Sequence, residues 1–536
     1  MGMIFLCGLP LTGQNPQPTV HSAAAFDVSP PLRDLAKLPV QKTYGFNQAD
    51  DRRSMPLRPT SGLEVDPVEQ KTASGPTNYS VGLNLAGLTD ADDEAIIGHR
   101  LVPPDPNLSV GDTQVVQWVN SIYAVYDKTT GALVAGPFAG NALWAGFFGE
   151  CETFNDGDII AQWDKAAHRW LLAQNVIYSG PYAACIAIST SPDATGTYYR
   201  YKFSLVGYPD YPKYGIWTNS YVETNNDLTS GVRANPCIYN RAKMLVGDAS
   251  AEQVCFLLST SDFSLLPADI DSRVPPPANQ DVFLIGGLGA VDTSHLSLYS
   301  IHVDWSNPQG ATITGNNNSQ LIAVPTFTPA CNGRYQADCV PASGGELLAS
   351  LGDRLMYRFA YWEDAPLANV LATPPKPVPS QHWFVSHTVT ASGGQNAMRW
   401  YEFTAPIKKI SVSGLSLFQS GTYAPDSNHR WMGSLTRDKA DDVLMGYSVS
   451  GRTMYPSIAV AGRVVTDPLG TLEPELLIVS GTGSQTNSAG RWGDYTNMAI
   501  DGSDGCTFWY TNEFYTTTTG YDFLTQLASI RFSGCH

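Results

Sequence analysis

One pattern recurs along most of this chain and limits what it can fold into. Each copy opens on Gly-Asp, or on a basic residue near a glycine. A short β-prone run, a polar turn and a second, more aromatic run follow. Copies open at GDTQVVQWVNSIYAVYDKTTG (111–131), GDIIAQWDKAAHRWLLAQNVIY (157–178), YPKYGIWTNSYVETNND (211–227), GDRLMYRFAYWED (352–364), HRWMGSLTRDKADDVLMGYSVS (429–450) and GDYTNMAIDGSDGCTFWYTNEFY (493–515). Further strand candidates such as CIAISTS (185–191) and LASIRF (527–532) follow four of them. A unit of two to four antiparallel strands cannot bury its own faces, so a series of them stacks into a propeller. Six openings plus the region 265–340 suggest seven blades, with six or eight also compatible. Two or three β-sandwich domains are the alternative, but no linker breaks the chain after residue 100. We therefore expect an all-β chain, with a seven-bladed β-propeller over 96–536. The Pro/Ser/Thr/Asp-rich residues 1–95 are expected to form an extended, poorly ordered leader.

Composition agrees with many short strands and turns: 48 glycines, 37 prolines and 26 tyrosines among 536 residues. Charged residues make up only 15%, against about 25% in ordinary globular chains. No run of about 18 apolar residues exists, which argues against a membrane span. A net charge of −17 disfavours nucleic acid, whose phosphates need Lys/Arg stripes. Apart from Cys7, the cysteines form four sequential pairs with short loops: Cys151/Cys185, Cys237/Cys255, Cys331/Cys339 and Cys506/Cys535. Eight cysteines allow about 105 connectivities, so the pairing is an expectation. No zinc spacing is present, and disulfides in an oxidising compartment suit the pattern. Export is the expected fate, to the periplasm or the exterior, although MGMIFLCGLPLTG lacks a basic start and a clear cleavage site. Oligomeric state is not legible.

The stretch PPDPNLSVGDTQVVQWVNSIYAVYDKTTGALVAGP (103–137) resembles a group of secreted bacterial proteins of largely unassigned function. They share a PPDPN…VN…VYDKxTG pattern. The resemblance continues at ACIAISTSPDATGTYYRYKF (184–203), at PDYPKYGIWTNSYVETNN (209–226) and at RWGDYTNMAIDGSDGCTFWYTNEFY (491–515). It implies a β-propeller of the broad sialidase-like kind and carries no activity. The Ser-x-Asp-x-Gly-x-x-Trp box of true sialidases is absent.

If the openings are innermost strands, their first residues ring one mouth of a central channel. That ring would hold Asp112, Asp158, Lys213, Tyr214, Asp353, His429, Arg430, Arg491, Asp494 and Tyr495. Carboxylates, bases and aromatics at one mouth would shift one another's pKa values, as acid/base work requires. The candidate catalytic residues are Asp158, Asp494, Tyr495, Arg491, Arg430 and His429. Lys213, Tyr214, Trp492 and Asp353 are candidates for substrate binding. The plainer reading is that Gly-Asp before a strand is turn chemistry. Glu150, Glu152, Asp156 and Asp158, or Asp105 with Asn107, have the oxygen chemistry for structural Ca²⁺, though a solvated loop or an Asx turn suffices. His382 and His387 are five apart in a strand-like run, on opposite faces, so one metal site is not expected of them. Aromatics such as Trp163, Trp170, Trp217, Tyr221, Trp509 and Tyr515 could stack on sugar rings, but packing between blades is the better reading.

The expected partner is a polysaccharide or cell-surface glycan. A glycoside hydrolase would use two of Asp158, Asp353 and Asp494. A polysaccharide lyase would use Tyr495, Tyr214 or His429 as base, with Arg430, Arg491 or Lys213 neutralising a uronate. A non-catalytic carbohydrate-binding or adhesion protein is the alternative.

Overall fold

The computed structural model describes residues 16–35, 64–177, 180–229, 231–259, 263–287, 292–315, 320–333, 338–364, 380–488 and 490–536. The described chain is dominated by antiparallel sheets. Seven four-stranded meanders follow one another along it. Their innermost strands are Asn107–Val110, Ile160–Asp164, Pro209–Ile216, Leu266–Ile270, Leu355–Glu363, His429–Arg437 and Asn497–Ile500. Each innermost strand packs against the next, and Asn497–Ile500 packs against Asn107–Val110, so the succession closes on itself. Between the fourth and fifth meanders the contact is a short parallel ladder, Ala268 to Ile270 against Phe359 to Tyr361.

Local sequence explains individual turns. In VYDKTTG, the Asp127 carboxylate accepts from the backbone N–H groups of Thr129 and Thr130 at 3.1 and 2.8 Å. Gly131 then takes φ +72°, and a Cβ there would meet Leu85 Cδ1 at 2.4 Å. Asn107 of the PPDPN motif reaches into the second meander, its Oδ1 accepting from Ala161 N at 2.7 Å.

The expected leader is corrected for its described parts, which are strands of the body. Thr19–Ser22 pairs with Glu252–Cys255 as a fifth strand of the third meander, and Ala25–Val28 with Tyr198–Ser204 of the second. Tyr79–Thr89 is the outermost strand of the seventh meander, paired with Leu524–Phe532. Early chain thus closes the last sheet. Residues 1–15 and 36–63 of the expected leader lie outside the described residues.

The repeat at 111 also needs correction. Gly111-Asp112 is the turn after the innermost strand, so Asp112 lies at the opposite end of the ring from Asp158. The described cysteines form the four expected pairs, Cys151–Cys185, Cys237–Cys255, Cys331–Cys339 and Cys506–Cys535. Among the described residues, no helix is long and apolar enough to cross a membrane.

The middle of the ring is filled by a buried polar network. Arg358 donates to Asp269 at 2.5 Å, to Asp271 at 2.6 Å and to the Met498 carbonyl at 2.9 Å. Gln162 donates to Asp269 and to the Tyr214 carbonyl, and Thr436 donates to Asp271. Six of the seven innermost strands meet in this network, which separates the two mouths.

Candidate functional site

A left-handed residue stands within four positions of the first residue of each of the seven innermost strands. Asp105 has φ +48°, Asp158 +49°, Tyr211 +55°, Ser264 +53°, Leu351 +55°, Met432 +52° and Asp494 +59°. Tyr211 and Met432 sit where the ladder shifts register, between Asp210 and Lys213 and between Trp431 and Ser434. Such a kink re-aims the next side chains. A left-handed conformation costs a non-glycine residue roughly 1–2 kcal/mol, least for Asp or Asn. Aspartate therefore has a backbone reason to stand at three of the seven positions. Asp494, Asp105 and Asp158 belong to the seventh, first and second meanders, which are neighbours in the ring.

These three aspartates share one cluster with Lys213, Arg491, Tyr211, Tyr495 and Arg354. The Lys213 ammonium lies 3.5 Å from the centre of the Tyr211 ring and 3.9 Å from that of Tyr495. The Arg354 guanidinium carbon is 4.3 Å from the Tyr211 ring centre. Arg491 is ion-paired with Asp494. Asp158 accepts from Tyr211 N at 3.1 Å, and the Tyr211 hydroxyl donates to the Asp494 carbonyl at 3.1 Å. The Tyr495 hydroxyl donates to the Ile159 carbonyl at 3.0 Å, tying the seventh meander to the second. Behind Asp494, buried Glu513 accepts from Gly493 N at 2.6 Å.

Burial sets the electrostatics. Desolvation pushes the Asp105 carboxyl well up, and the charges of Asp494 and Asp158 push it further. Asp158 is raised by desolvation and by Asp494, against the pull of Lys213 and Arg491. Burial lowers Lys213 to about 8, against the pull of Asp158 and Asp105. The Tyr495 phenol is pushed well above its ordinary value by burial and the three aspartates. One oxygen each of Asp105, Asp494 and Glu513 has no hydrogen-bond partner among the described residues. The cluster therefore holds carboxyls whose pKa burial raises beside one that is ion-paired, the kind of contrast acid/base chemistry uses.

Of the residues expected at this mouth, Asp158, Lys213, Arg491, Asp494 and Tyr495 come together. The rest do not. Arg430 is fully buried between Asp426 and Glu475, over the Tyr423 ring. His429 accepts from Asn396 N at 3.1 Å, and burial lowers its pKa to about 4. The Tyr214 hydroxyl donates to Asn175, and burial beside Glu223 pushes its pKa well up. Trp492 is a packing residue, its ring 5.7 Å from those of Trp431 and Tyr515 and its Nε1 donating to Ser448. Asp353 is buried, with its carbonyl accepting from His387, and its neighbour Arg354 is the one that reaches the cluster.

The calcium candidates are dispersed. Glu150 pairs with Lys202, Glu152 accepts from Gly146 N and Phe148 N, and Asp156 accepts from Ile177 N. Among the described residues, no three His, Cys, Asp or Glu side chains form a group able to hold a metal. His382 and His387 have separate partners, Asp364 and Glu402 for the first and Tyr401 for the second. Sequence reasoning missed Tyr211, Arg354 and Glu513. A charged residue in the aromatic strand TFWYTNEF was the available signal for Glu513.

No protein-family model and no curated protein matches the sequence. Among solved structures, a Penicillium chrysogenum α-L-arabinanase complexed with arabinobiose matches at a TM-score of 0.34 and 10% identity, covering 74% of this chain and 98% of that one. Drosophila Plexin A in complex with Semaphorin 1b matches at 0.30 and 8%, covering 87% and 89%. The polysaccharide lyase Uly1 matches at 0.24 and 8%, covering 90% and 98%. Likeness this distant assigns this chain no activity.

Proposed function

We propose that this chain is a seven-bladed β-propeller, exported from the cytoplasm, that hydrolyses a glycosidic bond of an extracellular polysaccharide at the Asp105/Asp158/Asp494 mouth. The four disulfides support export. The observation that carries the activity is the convergence of three aspartates from three neighbouring innermost strands on Lys213 and Arg491. Burial favours the protonated form of Asp105 and Asp158, and one of these carboxyls protonates the departing glycosidic oxygen. Asp494, oriented by Arg491, is the carboxylate that takes a proton from water or attacks the sugar carbon. Water supplies the hydroxyl and hydrogen that the products gain. Lyase chemistry is less well supported: the raised phenol of Tyr495 donates to a carbonyl, and His429 lies away from the cluster.

A non-catalytic glycan-binding role is the second reading. Lys213 at 0% exposure and Asp105 at 3% favour it, because a reacting group must meet substrate. A screen of purified protein on neutral and anionic polysaccharides separates the two. New reducing ends support hydrolysis, ultraviolet absorbance from unsaturated products supports a lyase, and retention on a polysaccharide column with neither supports binding. Failure of all three results on a broad panel overturns the proposal.

A further inference from the structure

The opposite mouth of the ring, away from the aspartate cluster, is open. A cavity of about 640 Å³ lies there, within the range of small-ligand pockets. Its walls are the far ends of innermost strands, at Asp164, Ile216 and Ile270, and the turn at Gly502 and Ser503. The Arg358 network lies between this cavity and the aspartate cluster. Trp163, Trp217, Ile216, Ile270 and Pro275 make much of the lining apolar.

The charges in the wall are arranged asymmetrically. Asp164 is taken up by a bidentate contact from Arg241 at 2.6 and 2.8 Å. Asp112 is paired with His168 at 2.8 Å. Behind the wall, Asp271 is paired with Lys165 at 2.8 Å. Arg273 is the exception: it is exposed, and its hydrogen bonds go to the carbonyls of Gly502, at 2.8 Å, and Ser503. Among the described residues no carboxylate pairs with it. Three cations, Lys165, Arg241 and Arg273, thus face two aspartates, Asp112 and Asp164, in the lining of a chain whose net charge is −17. The two carbonyl bonds hold the guanidinium across the gap between the fourth and seventh meanders. A pre-oriented guanidinium loses little entropy on meeting a planar anion.

We infer that this cavity is a second ligand site, independent of the aspartate cluster, which binds a small organic carboxylate by its anion at Arg273 and its apolar body against Ile270 and Pro275. Carboxylates of this kind come from two sources, uronic acid sugars and aromatic acids, and the cavity chemistry is common to both.

Calorimetric titration tests the inference, with D-galacturonate and benzoate as probes and D-galactose and benzyl alcohol as their neutral counterparts. At least one acid binds, its neutral counterpart binds at least tenfold more weakly, and the acid that binds identifies the source. Arg273→Ala weakens the acid at least tenfold, and Arg273→Gln, which keeps a donor for the carbonyls, does the same. Ala166→Phe, at the cavity rim, abolishes binding with Arg273 intact. Asp494→Asn leaves it unchanged, which separates this site from the hydrolytic mouth. The inference is overturned if neither acid binds, if neutral and acidic probes bind alike, or if a folded Arg273 variant binds as wild type does.

Discussion

The Lys213 ammonium and the centre of the Tyr495 ring, from the third and seventh meanders, lie 3.9 Å apart at the strand-start mouth. A cation in that position is held by ring faces and by carboxyl charges while being stripped of water. Desolvation is the larger effect, which is why its pKa falls to about 8. We predict that the Lys213 ammonium titrates near pH 8 when followed by NMR of labelled lysine. Above pH 8 the mouth loses this cation, so kcat/KM on an active substrate declines there. A Lys213 midpoint at 10 or higher contradicts the geometry.

Arg358 compensates two carboxylates inside the ring, Asp269 and Asp271. Arg358→Met leaves them buried with less positive charge around them. Removing one partner from a buried ionic network costs about 3–5 kcal/mol. Denaturant unfolding of this variant should show a loss of that size. A loss under 1 kcal/mol would mean that the network is solvated.

Asp438 stabilises the turn after the sixth innermost strand, its Oδ1 accepting from Ala440 N and Asp442 N. Burial and the nearby Asp442 charge raise its carboxyl from 3.8 to about 7. Between those two values the folded chain holds a proton that the unfolded chain releases, so stability falls as pH rises through the window. Asp438→Asn keeps the accepting oxygen and removes the titration. It should stabilise the protein at pH 8 and leave it nearly unaltered at pH 4. Equal effects at the two pH values would refute the assignment.

The Cys506–Cys535 bridge, whose ends are 29 positions apart in sequence, ties Thr507–Phe514 to Leu524–Phe532, the second and third strands of the seventh sheet. That sheet takes its outermost strand, Tyr79–Thr89, from the other end of the chain. Replacing both cysteines by serine should cost about 3 kcal/mol, the usual price of losing a loop of this length. Hydrogen exchange should accelerate first in Leu524–Phe532 and Tyr79–Thr89. Uniform acceleration over all seven sheets would argue against this local role.

Much of the mouth was legible because one piece of backbone chemistry marks it. Gly157-Asp158 and Gly493-Asp494 both place two successive residues at positive φ. The same dipeptide misled at Gly111-Asp112, because the innermost strand there is only Asn107–Val110, hidden behind prolines. His429 and Arg430 looked like strand-opening residues, but their strand begins three residues before its left-handed Met432. They consequently project among the fifth and sixth sheets. Asp105 stood out only as an oxygen ligand or turn former, and its place beside Asp494 depends on ring closure between strands nearly 400 residues apart. The N-terminal strands were illegible for a related reason. Two of them, Thr19–Ser22 and Ala25–Val28, are four-residue segments whose β character comes from the sheet edges they join.

The central claim is that Asp158 and Asp494 act together at one mouth. The most direct test is turnover of the polysaccharide found by screening, measured for Asp158→Asn and Asp494→Asn proteins with wild-type circular dichroism and melting. The account predicts a loss of at least about 100-fold in each, the scale expected for a positioned acid or base. Turnover within a few-fold of wild type in both folded variants would contradict it.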